Sequence, residues 1–250
     1  MPVVLITGAS TGIGNALAKE LARRGWAVGL VARRSELLST LAAEIEAAGG
    51  KAAWAAADVT DVVAIRDAAL HIAATLGPID LMVANAGTGL PTRATTVPID
   101  AWMQIMRLNV DGAIYSVGAV LPEMVERKAG HLAVVSSVAG YRGLPMSAAY
   151  SASKAAVSTF FESLRVDLRA HGIAVTTIHP GFITTPLTAK NKFPMPFLIT
   201  AERAAVLIAD GLERHRSDIT FPWQMRILMR WVRYLPNALY DAILSRNRVL

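Results

Sequence analysis

Short runs of apolar residues alternate along this chain with longer stretches in which apolar residues recur at helical spacing. Apolar runs without polar interruption predict strands that are buried on both faces. Six such strands are predicted, at residues 3–6, 28–32, 51–57, 81–84, 131–136 and 173–179. Helices are predicted at residues 13–24, 36–48, 62–76, 99–128, 151–171 and 201–213. This alternation predicts an α/β fold with a doubly wound parallel sheet and helices on both faces.

The chain shows no linker, internal repeat or low-complexity segment. Its 250 residues and 53% hydrophobic content suit one domain with a large core and exclude general disorder. We predict that residues 1–220 form this domain and that residues 221–250 form a basic, amphipathic helical extension of it.

The net charge of +6 could suggest a nucleic-acid partner, but only 18% of the residues are charged. Five Arg and one Asp fall within residues 221–250, which leaves a net charge of only +2 for residues 1–220. No run of five basic residues occurs. We therefore expect no nucleic-acid partner.

Several kinds of chemistry are excluded by composition. The chain has no Cys, which rules out disulfides, thiolate metal sites and a cysteine nucleophile. No His, Asp and Glu residues have metal-ligand spacing, so no metal is expected. The sequence starts MPVVLITGAS, without the basic segment of a signal peptide, and no apolar run is long enough to span a membrane. We expect a cytoplasmic protein.

A glycine-rich loop follows the first predicted strand and opens the first helix, in residues Thr7–Gly14. Glycines let the backbone approach a pyrophosphate, and the helix N-terminus offers free N–H groups to it. A tight strand-to-helix turn is the alternative interpretation. Arg33 and Arg34 end the second strand, where a dinucleotide site holds the adenosine ribose. Guanidinium groups there favour the 2′-phosphate of NADP(H), although two solvated surface arginines would give the same pattern.

Candidate catalytic residues follow the later strands. Tyr150 and Lys154 are four residues apart, so they share one face of a predicted helix. A nearby cation lowers the pKa of a phenol, which could then exchange a proton with a carbonyl or alcohol oxygen. Ser137 ends the fifth strand, outside any G-x-S-x-G elbow that would indicate a hydrolase. Asn85 follows the fourth strand, and Asn109 lies within a long helical pattern.

These motifs, with Asp58-Val59 and Pro180-Gly181, resemble the short-chain dehydrogenase/reductase family over residues 3–185, and a Rossmann-like fold is implied. The resemblance implies that Tyr150 is the general acid or base and that Lys154 lowers its pKa and binds the nicotinamide ribose. Ser137 would bind the substrate oxygen, and Asn109 would hold a water linked to Lys154.

The resemblance also implies a coenzyme site, which would place Asp58 at the adenine and Asn85 in support of the central sheet. The implied NADP(H)-binding residues are Gly8, Ser10, Thr11, Gly12, Ile13, Gly14, Arg33, Arg34, Asp58, Val59, Asn85, Ala86, Gly87, Tyr150, Lys154, Pro180, Gly181, Ile183 and Thr185. Two positions depart from the usual pattern. Ala84 stands where a second Asn is common, and Thr11 stands where many NADP(H)-preferring members carry a basic residue.

The implied function is oxidoreduction of a carbonyl compound and its alcohol by hydride transfer, in a homodimer or homotetramer. A non-catalytic NADP(H)-binding sensor or a membrane-associated scaffold is the alternative. Residues 141–146 should border the substrate pocket, and residues 186–200 are expected to form a lid. Apolar residues in that lid suggest an apolar substrate, or a lid that packs on its own core: Leu187, Phe193, Met195, Phe197 and Leu198. Residues 221–250 could contact a membrane, another subunit or the pocket.

Overall fold

A seven-stranded parallel sheet forms the centre of the protein in the computed structural model, which describes residues 1–189 and 194–246. Its strands are β1 (Val3–Thr7), β2 (Ala27–Ala32), β3 (Lys51–Ala56), β4 (Leu81–Ala84), β5 (Gly130–Val135), β6 (Ile173–Pro180) and β9 (Asp218–Phe221). Their order across the sheet is β3-β2-β1-β4-β5-β6-β9, and every neighbouring pair is parallel. Two further strands, β7 (Ile183–Thr184) and β8 (Ile199–Thr200), pair with each other.

Helices cover both faces of this sheet. They are α1 (Gly12–Arg23), α2 (Ser35–Ala47), α3 (Val62–Leu76), α4 (Ile99–Met106), α5 (Gly112–Arg127), α6 (Ala148–Asp167), α7 (Ala201–Glu213), α8 (Trp223–Tyr234) and α9 (Asn237–Arg246). Successive side chains of β1 enter opposite core layers: Ile6 packs in the layer with α1, and Leu5 in the layer with α3. The predicted Rossmann-like fold, with its helical C-terminal extension, is therefore confirmed.

Two predicted helices have different bounds in the structure, and one strand of the main sheet was missed. The helix predicted over residues 99–128 is interrupted by a π-helical segment at Arg107–Asp111, because a shifted hydrogen-bond register leaves the apolar periodicity almost unchanged. The helix predicted over residues 151–171 begins at Ala148 and ends at Asp167. Strand β9 was not predicted, since its four residues alternate polar and apolar side chains and give no apolar run.

The C-terminal extension packs back on the main sheet. Met225 and Met229 of α8 are buried against Val138, in the turn that follows β5. Within residues 1–189 and 194–246, none of the helices combines the length and the apolar character of a membrane-spanning segment.

Candidate active site

A cavity of about 310 Å³ opens at the carboxyl ends of the strands, beside the point where the strand order reverses between β1 and β4. In doubly wound sheets this switch point is the usual place of a ligand site. Loops that follow β1, β2, β3, β4, β5 and β6 line the cavity. The topology thus brings together motifs that lie far apart in the sequence.

The glycine loop after β1 has the shape that the sequence predicts. Gly8 and Gly12 adopt φ values of +65° and +61°, which side chains rarely tolerate. A Cβ on Gly14 would lie 2.5 Å from the Gly8 carbonyl oxygen and 2.5 Å from Asn85 Nδ2, so this position must be bare. Thr11 gives α1 no side-chain cap, so the first N–H groups of the helix lack a side-chain acceptor, and Gly12 and Ile13 line the cavity. An uncapped helix N-terminus behind a glycine loop fits a pyrophosphate.

Asn85 holds this loop against the end of β4. Its Nδ2 donates to the carbonyl oxygens of Thr7 and Gly8, at 2.9 and 3.2 Å. In return, Thr7 Oγ1 accepts from the backbone N–H groups of Asn85 and Ala86. These contacts are of the kind expected for a support of the central sheet, and Ala84 before the motif leaves them intact.

Two arginines mark one end of the cavity. Arg34 donates from Nη2 to Ser10 Oγ at 3.0 Å, and its Nη2 lies 3.4 Å from Thr11 Oγ1. Arg33, whose side chain is 71% exposed, lies 3.8 Å from a carboxylate oxygen of Asp58. Burial acts to raise the pKa of Asp58, but hydrogen bonds from Thr60 and the charge of Arg33 hold it below its usual value. This end of the cavity is therefore basic and rich in hydroxyl donors.

Tyr150 and Lys154 lie one turn apart on α6, at the opposite end of the cavity. Lys154 is 5% exposed, and its Nζ donates to the Val135 carbonyl oxygen at 2.7 Å. Burial lowers the pKa of Lys154 to about 8. Burial also raises the pKa of Tyr150, while a hydrogen bond with Ser137 acts to lower it. The Lys154 Nζ lies 5.8 Å from the centre of the phenol ring.

The direction of the Tyr150 shift corrects one expectation. The sequence suggested that the cation of Lys154 would dominate and lower the pKa of the phenol. In the structure desolvation dominates, and Lys154 is not among the causes of the shift. Tyr150 is only half-buried and lines the cavity, but the desolvation of its hydroxyl favours the neutral, proton-donating form at neutral pH.

The turn after β5 brings Ser137 to Tyr150. A Cβ on Gly140 would lie 2.9 Å from the backbone carbon of Lys154, so a bare residue lets this turn pack against α6. Ser136, which the sequence analysis did not assign to the site, ties β5 to the same helix by donating to the Lys154 carbonyl oxygen at 2.8 Å. Ser137 Oγ accepts from the N–H of Ala139 at 3.1 Å.

Asn109 lies in the π-helical segment, behind the cavity wall. Its Oδ1 accepts from the Thr88 N–H at 2.8 Å, and its Nδ2 donates to the Thr88 carbonyl oxygen and to Ser153 Oγ, each at 2.9 Å. Ser153 in turn donates to the Tyr150 carbonyl oxygen. The amide therefore joins the loop after β4 to α6, and its link to Lys154 through a water stays a prediction.

Nearly every residue predicted for the site lines the cavity. The exceptions are Gly14, which lies beneath the loop, and Asn109. The sequence reasoning missed six lining residues, most of them next to predicted ones: Ala32, Ala57, Thr88, Leu108, Val135 and Ser136. Three more lining residues belong to the segment that is expected to form a lid: Pro186, Leu187 and Thr188. It also missed Gly89, where a Cβ would lie 2.9 Å from Tyr150 Cδ2. A single glycine after Thr88 carries no sequence signal for this contact.

The loop between Ser137 and Tyr150 is clamped to the C-terminal extension. The Tyr141 hydroxyl pairs at 3.0 Å with Thr220 Oγ1 of β9, the residue that precedes this extension. Arg142 donates to the carbonyl oxygens of Val232 and Leu235 at the end of α8, and it stacks 3.8 Å over the ring of Tyr240. Residues 221–246 therefore support the expected border of the pocket.

The expected lid is partly described. Leu187 lines the cavity, while Phe197 and Leu198 are exposed, so these two do not pack on the lid's own core. Met195 is half-buried, and Phe193 lies outside the described residues.

Several known proteins are similar to this chain in sequence. The model of the family described as short chain dehydrogenase matches residues 2–194. An uncharacterized oxidoreductase of Myxococcus xanthus is 48% identical over 244 residues, which cover 98% of this chain and 96% of that protein. An uncharacterized oxidoreductase of Mycobacterium tuberculosis is 34% identical over 88% of each chain.

Two solved structures have a similar fold. A 3-ketoacyl-ACP reductase from Sinorhizobium meliloti superposes with a TM-score of 0.81 and 30% identity, over 91% of this chain and 100% of that one. An alcohol dehydrogenase from Thermococcus sibiricus, complexed with 5-hydroxy-NADP, gives a TM-score of 0.81 at 24% identity, over 88% of this chain and 96% of that one.

Proposed function

The chain belongs to the short-chain dehydrogenase family, and from this membership we propose that it is an NADP(H)-dependent oxidoreductase that interconverts a carbonyl compound and its alcohol. The observation that carries the proposal is the junction of Ser137, Tyr150 and Lys154 at one end of a cavity whose other end is basic. A proton donor and a hydrogen-bonding hydroxyl there suit a substrate oxygen on which charge develops.

The residues present fit the coenzyme. The bare positions Gly12 and Gly14 and the uncapped start of α1 form a cradle for the pyrophosphate. Arg33 and Arg34 would bind the 2′-phosphate, and Asp58 would bind the adenine. Lys154 would bind the nicotinamide ribose. When bound, the coenzyme supplies or accepts the hydride that the protein's own side chains cannot provide.

Tyr150 holds the proton that the reaction needs. In reduction, its neutral hydroxyl donates this proton to the carbonyl oxygen, and Ser137 donates a hydrogen bond to the same oxygen. In oxidation, Tyr150 takes the proton back from the alcohol. Lys154, with a pKa of about 8, remains mostly charged at neutral pH and offsets the negative charge that a phenolate would carry.

The reaction is tested by following NADPH oxidation across chemically diverse ketones and aldehydes, apolar ones included. With an active compound, Tyr150→Phe should lower kcat by roughly 10²–10⁴-fold because it removes the proton donor. Tyr234→Phe, an exposed change on α8, is the matched control. Full turnover by Tyr150→Phe would refute the mechanism. NADPH binding without turnover on any compound would favour the non-catalytic sensor.

Coenzyme choice is tested at Arg33. Arg33→Gln removes the charge without placing a second carboxylate beside Asp58. Hydrogen bonds to charged groups contribute about 1.5–3 kcal/mol, so kcat/KM with NADPH should fall about 10- to 150-fold. The value with NADH should change little. Arg66→Gln, whose parent side chain is also exposed, controls for general loss of charge. Equal losses of kcat/KM with NADPH and with NADH would show that Arg33 does not contact the 2′-phosphate.

A further inference from the structure

Helix α8 presents apolar and aromatic side chains to solvent rather than to the core. Trp223, Trp231 and Tyr234 are 67%, 75% and 80% exposed, and Ile227 is 51% exposed. We propose that this face docks the protein on the surface of an anionic lipid bilayer.

The geometry of α8 separates two apolar faces. At 3.6 residues per turn, the four exposed residues fall within roughly a quarter of the helix circumference. The opposite side carries Met225 and Met229, which are buried against the turn after β5. The core therefore already has its apolar partner on this helix, and the outer face is a second surface without one in the described residues. Helix α9 also exposes two apolar residues, Leu239 and Ile243, which lie one turn apart.

Basic residues border the outer face of α8. Arg226, Arg230 and Arg233 recur at helical spacing along one side of the exposed aromatic residues, and all three are exposed. In the described part of the chain none of the three forms an ion pair, although the charge of Arg226 also acts on Asp218 of β9. Tryptophan and tyrosine side chains with flanking arginines are typical of segments that lie at the headgroup region of a bilayer. The rings enter the boundary between headgroups and acyl chains, and the guanidinium groups contact the lipid phosphates.

The distribution of charge favours a bilayer over a second copy of the chain. In a two-fold symmetric contact through α8, the arginine row of one copy would face apolar or basic residues of the other. Residues 221–250 offer only one acidic side chain, Asp241, to compensate it. An anionic bilayer supplies the missing negative charge along the whole row, and it accepts the exposed rings at the same time.

The test measures co-sedimentation of the full chain with vesicles of phosphatidylcholine, with or without phosphatidylglycerol. We expect binding to the anionic vesicles, weak binding to the neutral ones, and release by added salt. Arg230→Glu with Arg233→Glu should lower the partition coefficient more than 20-fold, since each arginine near an anionic surface contributes about fivefold. The matched control is Arg66→Glu with Arg93→Glu, a charge reversal at two exposed arginines outside α8.

A second pair of variants tests the rings separately. Trp223→Ser with Trp231→Ser should also abolish binding, whereas Val62→Ser with Val166→Ser, exposed apolar residues on other helices, should not. Circular dichroism establishes whether each variant is folded. If the double tryptophan variant is unfolded, co-sedimentation of the double arginine variant alone tests the proposal. Failure of the parent protein to bind anionic vesicles, or equal losses in the control variants, overturns the proposal. A dimer that the tryptophan pair dissociates, without vesicle binding by the parent, assigns the face to a subunit contact. These outcomes are independent of whether a carbonyl substrate is found.

Discussion

Substitution of Gly89 by Ala tests whether the position of the Tyr150 ring controls turnover. The added Cβ would lie 2.9 Å from Cδ2 and 3.0 Å from Cε2 of that ring. Carbon atoms pack at about 3.5–4.0 Å, so the ring or the loop has to move by at least roughly half an ångström. The ring is the softer partner, because Tyr150 faces the open cavity while its backbone is fixed in α6.

This displacement sets the size of the effect. A misplacement of about 1 Å can cost about 10²-fold in rate, so half that distance should lower kcat by roughly tenfold. NADPH binding should change little, since Gly89 does not line the coenzyme cavity. The expected signature is thus a lower kcat with an unchanged coenzyme Kd.

The assay combines steady-state kinetics on any active carbonyl compound with fluorescence titration of NADPH. Gly118→Ala is the matched control, because no heavy atom lies within 4 Å of its added Cβ. A Gly89→Ala variant that is folded and has the parental kcat would refute the positioning argument. A parallel loss of NADPH affinity would show that the loop, not the ring, had moved.

Two further predictions concern stability. Burial, and then the charge of His215, lower the pKa of His131 to about 4 from 6.5. Because the folded state holds His131 neutral, this residue contributes stability that is fully present above pH 6.5, the pKa of the unfolded state. That contribution is lost as the pH falls towards the folded pKa, by about 3 kcal/mol between pH 6.5 and pH 4. His131→Gln should remove that pH dependence in urea unfolding, and parallel profiles would contradict it. Asp61 caps α3 by accepting from the N–H groups of its first turn. Asp61→Ala should therefore cost about 1 kcal/mol, whereas Asp67→Ala in the same helix should cost little. Equal costs for the two would rule out the cap.

The fold was predictable wherever an element has a recognisable pattern of apolar residues in the sequence. Strands such as β1 and β2 are buried along their whole length, so their uninterrupted apolar runs identify them. Strand β9 lies at the edge of the sheet and pairs only with β6, so it needs no such run, and its alternation of polar and apolar residues extends over only four positions. The break at Arg107–Asp111 was invisible for another reason. A π-helical segment depends on backbone hydrogen bonds, while its side chains stay compatible with a continuous helix.

The same distinction applies to the candidate site, where some contacts are local in the sequence and others are tertiary. Residues within one motif, such as Tyr150 and Lys154 on α6, are related by local geometry that the spacing fixes. Contacts between motifs are tertiary and have no local signature. The approach of Gly89 to Tyr150 and the clamp of Arg142 on α8 belong to this group. The direction of the Tyr150 pKa also depends on burial, which a spacing does not measure.

The positive charge of the chain has different roles in different places. Arg24 is neutralised within the fold, because it bonds to three carboxylates, those of Glu20, Asp210 and Glu213. Two other groups of arginines, those at the coenzyme cavity and those on α8, lie on separate surfaces that are proposed to bind two different anions. Added salt should weaken both interactions, since both are electrostatic and exposed. Arg33→Gln separates them: it should reduce the salt sensitivity of the KM for NADPH while leaving release from anionic vesicles unchanged.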